Sequence, residues 1–172
     1  AGLHDIALDP AFKRNRMVYL TYAEPREGGT GTTLARGVLV DSPDGATLQE
    51  VQVIFRQMPT LDSVRQMGSR VAFGNDGKLY LALGERGIEG AVGEAQDLMS
   101  DFGKVVRLDS DGRIPAGNPF AGRSDAWPQV WSSGHRNIQA MTVDPADGTL
   151  WAVEHGPRGG DELNRIGAGR NY

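Results

Sequence analysis

Two polar loops flank an apolar hairpin near the end of the chain, and they hold the residue types best suited to chemistry. The first is a Gly-His-Arg-Asn corner that contains Arg136 and Asn137, and the second runs over residues 154–161. Between them, residues 141–143 and 150–153 are predicted to form two strands around a turn. Because such an excursion returns the chain to the same edge of a sheet, both loops should lie together. A fixed cation, an amide and an acidic, carbonyl-rich loop predict a site for a polar anionic ligand.

The second loop also offers oxygen ligands for a hard cation. It does not match an EF-hand, which needs oxygen ligands at alternating positions and a Glu at the twelfth. Backbone carbonyls together with Asp161 or Glu162 could still bind calcium, and the alternative is a Gly-rich turn with solvated carboxylates. His135 and His155 lie in the two loops, but no third ligand is suitably spaced for zinc. No G-x-S-x-G elbow, phosphate-binding loop or dinucleotide fingerprint occurs.

Other polar residues near strand ends have simpler interpretations. Arg70 precedes an apolar strand and is expected to act as a salt bridge or loop clamp. Glu85 and Arg86 are expected to form a solvated or mutually paired rim, and His4 is expected to pack or cap.

One pattern occurs three times, at residues 6–24, 71–85 and 141–155. Each copy has a short apolar strand, a turn rich in Asp, Asn, Gly or Pro, and a second apolar strand. Each second strand ends at a glutamate: Glu24, Glu85 and Glu154. The copies begin about 65–70 residues apart, which exceeds the roughly 40–50 residues of common propeller blades and implies insertions at loops.

Further apolar segments follow the copies at residues 33–40, 51–55, 104–108 and 162–166. An inner hairpin followed by outer strands makes a four-stranded antiparallel blade, so the sequence predicts an all-β propeller with about three blades. A β-sandwich or open meander is the alternative. No long helix is predicted, and residues 95–100 are expected to form at most a single turn.

The ends of the chain suggest a fragment, because it opens without Met and stops directly after an Arg-Asn pair. Three blades do not close a ring, since propellers typically have four to eight. We therefore expect residues 1–172 to be a single partial propeller domain, either half of a larger ring or one whose edges pair with something else.

Composition narrows the functional class. A formal net charge of −4 argues against a general nucleic-acid binder. Of 18 basic residues only Lys13, Lys78 and Lys104 are lysine, and arginine suits fixed grips on carboxylates. The absence of cysteine excludes disulfides and thiolate metal sites. No apolar run approaches the roughly 18–20 residues of a membrane span.

Several stretches resemble the soluble aldose sugar dehydrogenases, the PQQ-dependent relatives of soluble glucose dehydrogenase. They are GLHDIALDPAFKRNRMVYLTYAEP, GSRVAFGNDGKLYLALGE, AQDLMSDFGKVVRLDSDGRIPAGNPF, WSSGHRNIQAM and EHGPRGGDELNRIGAGRNY. The order GHRN-x-Q, E-x-GP-x-x-x-DE-x-N and NY is specific to that family. The resemblance implies a six-bladed propeller with PQQ over its axis, an oxidoreductase of carbohydrate metabolism that converts aldoses to lactones at the anomeric carbon.

The resemblance also implies roles for individual residues. Arg136 would contact the quinone and stabilise negative charge on the cofactor as it is reduced. Asn137 would hydrogen-bond PQQ. The carbonyls of Gly156 and Pro157 would hold a calcium that polarises PQQ.

Further implications concern a second metal and the partners. Glu162 and Tyr172 match positions that bind a second, structural calcium in relatives. The implied partners are an aldose sugar and an external electron acceptor, in the periplasm or outside the cell. Oligomeric state is open, because relatives include monomers and dimers.

One departure from the family bears on catalysis. The family's general base is a histidine four residues before an arginine that matches Arg70, and here Gln66 stands at that position. An amide cannot accept a proton at neutral pH, and losing a general base typically costs about 10²–10⁴ in rate. Relatives also carry a glutamine upstream of Gly2 and basic PQQ ligands in later blades, beyond this sequence. The enzyme reading therefore competes with a non-catalytic PQQ- or sugar-binding propeller, and more weakly with a calcium-dependent lactone hydrolase.

Overall fold

The computed structural model describes residues 2–87 and 92–172, and over these it is built almost entirely from strands. The bounds are β1 Leu3–Leu8, β2 Met17–Arg26, β3 Gly29–Ser42, β4 Gly45–Arg56, β5 Gly68–Phe73, β6 Leu79–Leu83, β7 Lys104–Leu108, β8 Val130–Ser132, β9 Ile138–Val143, β10 Leu150–Glu154 and β11 Glu162–Ile166. A four-residue helix, α1 (Phe12–Asn15), and a 3₁₀ turn, Val92–Ala95, complete the described elements. None of the helices in the described ranges is long and apolar enough to cross a membrane.

The strands form antiparallel sheets that follow one another along the chain. Their orders are β1-β2-β3-β4, β5-β6-β7-β8 and β9-β10-β11. The first strand of each sheet lies beside the first strand of the next, β1 against β5 and β5 against β9. These sheets are blades of a partial propeller, which confirms the predicted fold class. The third blade has three strands among the described residues.

The middle blade shows why the blades stack. All five residues of β6 are buried. Because side chains alternate across a strand, Leu79, Leu81 and Leu83 enter the core shared with the first blade. Tyr80 and Ala82 enter the core shared with the third blade. Each large apolar side chain buried in this way contributes roughly 1.5–3 kcal/mol to stability. Because β6 contributes side chains to both cores, it couples all three blades.

Several element bounds differ from the sequence-based prediction. The first blade ends in a long hairpin of β3 and β4. Its strands pair from Thr33 with Arg56 to Ser42 with Gly45. The strands predicted at residues 33–40 and 51–55 are therefore longer in the structure, as β3 and β4. Cross-strand hydrogen bonds extend them into segments whose Gly and polar residues are typical of loops. Strand β8 was not predicted, because its three residues are specified by pairing with β7. The helical turn expected at residues 95–100 begins three residues earlier, at Val92.

Candidate functional site

The two polar loops lie on one rim, as the hairpin predicts. Strands β9 and β10 pair over their whole length, ending with Glu154 opposite Ile138. A guanidinium nitrogen of Arg136, Nη1, donates to the carbonyl of His155 at 3.1 Å. The backbone N–H of His155 donates in turn to the carbonyl of Asn137 at 3.2 Å. Arg136 and Asn137 are thus fixed directly against the start of the loop over residues 155–161.

The corner that presents Arg136 is fixed by the backbone around it. Gly134 has φ +83°, and a Cβ there would collide with the carbonyl of Tyr172. Its N–H donates to the carbonyl of Ala95 at 2.9 Å, and the N–H of His135 donates to the carbonyl of Gly103 at 3.0 Å. The corner therefore needs glycine, and the middle blade sets its position.

A buried, hydrogen-bonded pair of side chains, His135 and Glu154, lies beneath the corner. The Nδ1 of His135 lies 3.0 Å from Oε1 of Glu154, and its Nε2 lies 2.8 Å from the hydroxyl of Ser132. Glu154 also accepts the backbone N–H of Arg136 at 2.8 Å and the amide of Asn164 at 2.8 Å. Burial acts to raise the pKa of Glu154, but the hydrogen bond and charge of His135, with the other donors, hold it below its ordinary value. This cluster is a scaffold that orients Arg136.

A pocket of about 380 Å³ opens beside the corner, between the inner strands of the blades. Its polar lining consists of His4, Gln66, Arg70, Asn137 and Gln139. The first four of these each bury a polar atom that has no hydrogen-bond partner within the described ranges. Because buried polar atoms are rarely left unpaired, such a group is expected to meet a ligand or water. The volume lies within the roughly 300–1,000 Å³ of small-molecule sites.

Gln66 enters this pocket from a strained loop. Its φ is +42°, in the left-handed region that non-glycine residues seldom adopt. Its amide lies against Gly87, where an added Cβ would collide with it. The position matching the family's base is therefore in the pocket, beside Asn137, but it carries an amide.

Arg70 is a clamp between blades, one of the two roles expected for it. Its Nη1 donates to the carbonyl of His4 at 3.1 Å, joining the inner strands β1 and β5. The expectation that His4 caps a strand is wrong, whereas its half-buried side chain agrees with the alternative that it packs. His4 lies within β1, makes no side-chain hydrogen bond to any other described residue, and lines the pocket.

The expectation of a solvated or mutually paired Glu85–Arg86 rim is also wrong. Glu85 is 3% exposed and Arg86 is fully buried. Arg86, at φ +74°, turns inward and donates to the carbonyls of Thr30 and Ser63. Burial raises the pKa of Glu85, although Arg136, whose Nε lies 3.9 Å from Oε1, opposes that shift. The carbonyls that bind Arg86 are distant in sequence, so a charged pair at a strand end does not reveal them.

The loop over residues 155–161 curls back on itself, and the side chain of Asp161 closes it. Asp161 accepts the N–H of Gly156 at 3.1 Å, and its other oxygen lies 3.1 Å from Nδ1 of His155. A Cβ at Gly156 would collide with the carbonyls of Gly159 and Gly160, so glycine lets the carbonyls crowd together. Within residues 2–87 and 92–172, no group of three His, Asp or Glu side chains is arranged to hold a metal. A hard cation at this rim would therefore rely on backbone carbonyls.

The two residues matched to a second calcium lie at opposite ends of a chain of contacts. The ring of Tyr172 stacks on His135 at 4.8 Å. His135 pairs with Glu154, Glu154 accepts from Asn164, and Asn164 also donates to Glu162 at 2.9 Å. The hydroxyl of Tyr172 is engaged by backbone groups at the end of β11. A metal shared by Glu162 and Tyr172 remains a prediction.

The blades of this partial propeller match those of a known protein family. The family model described as Glucose / Sorbosone dehydrogenase matches residues 1–172. The aldose sugar dehydrogenase YliI of Escherichia coli K12 is 42% identical over 172 residues, covering 99% of this chain and 45% of the relative. The chain therefore belongs to the glucose/sorbosone dehydrogenase family, which confirms the resemblance read from its motifs.

Solved structures of aldose sugar dehydrogenases match this chain as well. The crystal structure of the soluble aldose sugar dehydrogenase from Escherichia coli in its apo form matches with a TM-score of 0.89 and 42% identity, over 99% of this chain and 48% of that one. The PQQ-bound aldose sugar dehydrogenase from Streptomyces coelicolor matches with a TM-score of 0.79 and 34% identity, over 99% and 47%. The chain spans about half the length of the relatives it matches.

Proposed function

We propose that this chain is one part of a PQQ- and calcium-dependent dehydrogenase that oxidises aldoses to lactones at the anomeric carbon. Residues 1–172 would form three blades of the full six-bladed ring as a single partial domain. The observation that carries the proposal is the shared rim of Arg136, Asn137 and residues 155–161 beside a polar pocket. When bound, PQQ supplies an o-quinone that accepts two electrons, and its three carboxylates favour arginine and calcium.

The cofactor role assigned to Arg136 is supported by its geometry. Its guanidinium is held by the His155 carbonyl yet remains about one third exposed, so it can meet an anionic oxygen at the rim. Its backbone is fixed by Glu154, so little ordering is needed when a ligand binds. Asn137 adds a buried Oδ1 that lacks a partner among the described residues and lines the pocket. Both residues fit a polar, anionic cofactor.

The calcium role rests on the curled loop. In this proposal the carbonyls of Gly156 and Pro157 hold the ion close to Arg136, where it would polarise the cofactor as a Lewis acid. The Gly159 and Gly160 carbonyls also lie against Gly156, so this loop concentrates backbone oxygens of the kind that calcium prefers. We propose Glu162 and Tyr172 for a second, structural calcium on the resemblance alone.

Gln66 favours a second candidate, a propeller that binds PQQ or sugar without catalysis. Its amide lies in the pocket with an Oε1 that finds no partner in the described parts of the chain, so it can hydrogen-bond a sugar but cannot take its proton. For either candidate we propose the periplasm or the cell exterior, where PQQ and calcium are available. The enzyme would pass its electrons to an external acceptor.

Calorimetric titration of PQQ into the full-length protein, with and without calcium, tests the cofactor role. We expect calcium-dependent binding that Arg136→Gln weakens at least tenfold, because a charge-assisted contact is lost. The matched control is Arg113→Gln, since Arg113 is exposed and its guanidinium pairs with Asp111 within the turn that follows β7. Unchanged binding in the Arg136 variant would contradict the assignment.

Dye-linked aldose oxidation then separates the two candidates. Turnover with lactone formation supports the dehydrogenase. Tight PQQ binding without turnover on any aldose would favour the non-catalytic propeller. If neither PQQ binding nor turnover is found, the dehydrogenase fails, and a calorimetric titration with aldose that also shows no binding rules out the non-catalytic propeller.

A further inference from the structure

The pocket that contains Gln66 also contains an imidazole. His4 comes from β1 of the first blade, whereas Gln66 precedes β5 of the second. Although they are 62 positions apart in sequence, both line the same 380 Å³ space, together with Arg70 and Asn137. The residue type missing at position 66 is thus supplied to the pocket by a neighbouring strand.

We propose that His4 serves as the general base for sugar oxidation in this protein, in place of the histidine that position 66 lacks. This inference rests on the proposed dehydrogenase function. It names a catalytic residue for that reaction that differs from the one implied by the family's pattern.

The position of His4 is set by both blades. The carbonyl of His4 accepts Nη1 of Arg70 at 3.1 Å. The next residue, Asp5, accepts the backbone N–H of Val71 at 2.9 Å. These bonds fasten the backbone of β1 to the segment that follows Gln66. The Cα of His4, from which the imidazole extends, is therefore held in a fixed position beside the pocket. A general base must be positioned in this way.

The ring of His4 is free to accept a proton. Its Nδ1 is buried and has no partner among residues that the structure describes, and no other described side chain or backbone group hydrogen-bonds the ring. A neutral imidazole always carries one nitrogen with a free lone pair. In contrast, His135 is committed on both nitrogens to Ser132 and Glu154. Of these two histidines, only His4 has an uncommitted acceptor.

The surroundings of His4 favour its basic form. Burial lowers the pKa of His4 below 6.5, and the positive charges of Arg70 and Arg86 act in the same direction. The ring is therefore neutral at pH 7 and can take a proton. Arg70, which also lines the pocket, is suited to stabilise negative charge that develops on the substrate oxygen.

The chemical step balances with the proposed cofactor as oxidant. The anomeric O–H bond breaks, and its proton goes to the imidazole of His4. The C1–H bond breaks, and its hydrogen leaves with both electrons to the o-quinone, while a C1–O double bond forms in the lactone. The sugar loses two electrons and the quinone gains two. The proton on His4 and the transferred hydride together account for the two hydrogens removed.

Stopped-flow reduction of the PQQ- and calcium-loaded full-length protein by an aldose tests the proposal. We expect His4→Gln to slow the reductive step by about 10²–10⁴, the usual contribution of a general base, with PQQ affinity unchanged. The wild-type rate should rise with pH through a pKa below 6.5, and this dependence should vanish in the variant. Adding Gln66→His to the His4→Gln variant should restore the rate, because it returns a base to the same pocket. Arg113→Gln again serves as the surface control.

A second readout does not depend on turnover. In histidine-ring NMR spectra of the cofactor-free protein, the signal lost in His4→Gln identifies His4. It should titrate below pH 6.5 and shift when glucose or gluconolactone is added. If wild type and His4→Gln reduce PQQ at equal rates with the same pH profile, the His4 proposal is overturned while the dehydrogenase function stands. If wild type neither binds PQQ nor turns over, the proposed function fails instead. A His4 signal unaffected by sugar would also contradict the proposal.

Discussion

Glu154 is the last residue of β10, and Glu85 lies two residues beyond the end of β6 in the neighbouring blade, but the surroundings of the two carboxyl groups differ. Glu154 uses both carboxylate oxygens, accepting from Arg136 and Asn164 and pairing with His135. Glu85 is equally buried, yet its Oε2 meets no partner in the described ranges. The pKa of Glu154 is lowered by its donors, whereas burial raises that of Glu85. One repeated residue thus gives a satisfied scaffold in the third blade and an unsatisfied carboxyl in the second.

This contrast separates two parts of the rim. The third blade holds the groups that fix Arg136, and its buried carboxylate, Glu154, has hydrogen-bond partners on both oxygens. The pocket at the second blade collects unpartnered polar atoms from His4, Gln66 and Asn137 among the described residues. Unpaired buried groups cost stability, so their concentration at one pocket points to ligand binding there rather than to folding.

Removing the scaffold carboxylate should have the largest effect on stability. We expect Glu154→Ala to lower the free energy of unfolding by about 3–5 kcal/mol, because it leaves His135, the backbone N–H of Arg136 and the amide of Asn164 without their buried hydrogen-bond acceptor. Urea denaturation measures the change. Glu27→Ala, an exposed site, should stay within about 0.5 kcal/mol of wild type. Equal losses in the two variants would show that the His135–Glu154 pair is not a scaffold.

A pair of glycines sharpens the same point at the corner. Gly134 and Gly122 both have φ +83°, but a Cβ meets the Tyr172 carbonyl at Gly134 and nothing within 4 Å at Gly122. Gly122→Ala should cost about 1–2 kcal/mol from backbone strain alone. Gly134→Ala should cost a further 1–3 kcal/mol or so from the collision, and should weaken PQQ binding because Arg136 shifts. Similar thermal denaturation midpoints for both variants would rule out a steric requirement at the corner.

The sequence predicted the blades well because their signals are local. Alternating apolar residues and Asn-, Asp- or Gly-rich turns define β5, β6, β9 and β10 without reference to distant contacts. The adjacency of Arg136 to residues 155–161 also follows from one hairpin. Strand β8 escaped prediction because only pairing with β7 defines it.

The pocket was less predictable, because it is made by contacts between blades. The burial of Arg86 depends on carbonyls of Thr30 and Ser63 that lie in other loops. The place of His4 beside Gln66 depends on the packing of β1 against β5. No period or motif within either segment encodes these relations, so only the assembled blades reveal which polar residues face a common space.

The smallest expected effect is on the pH dependence of stability. The direction of that dependence is the most direct test of the contrast between Glu85 and Glu154. Glu85 has a raised pKa in the folded state, so it contributes stability at low pH that is lost as pH rises through its ordinary value of 4.5 and above. Glu154 has a lowered pKa, so its contribution is present above 4.5 and is lost as pH falls below it. Glu85→Gln should therefore gain stability relative to wild type between pH 4 and 7. Glu154→Gln should lose stability at pH 7 and approach wild type as the pH falls.

Urea midpoints measured from pH 3 to pH 7 for wild type and both variants give these two difference curves. For Glu85 the stability difference between the variant and wild type should grow as the pH rises from 4 to 7, because the pKa of Glu85 is raised in the folded state. Because the two carboxyl groups are equally buried, we attribute curves of opposite slope to their different hydrogen-bond partners. Parallel slopes would mean that Glu85 finds a partner in solution, and the division of the rim into scaffold and ligand-facing parts would have to be abandoned.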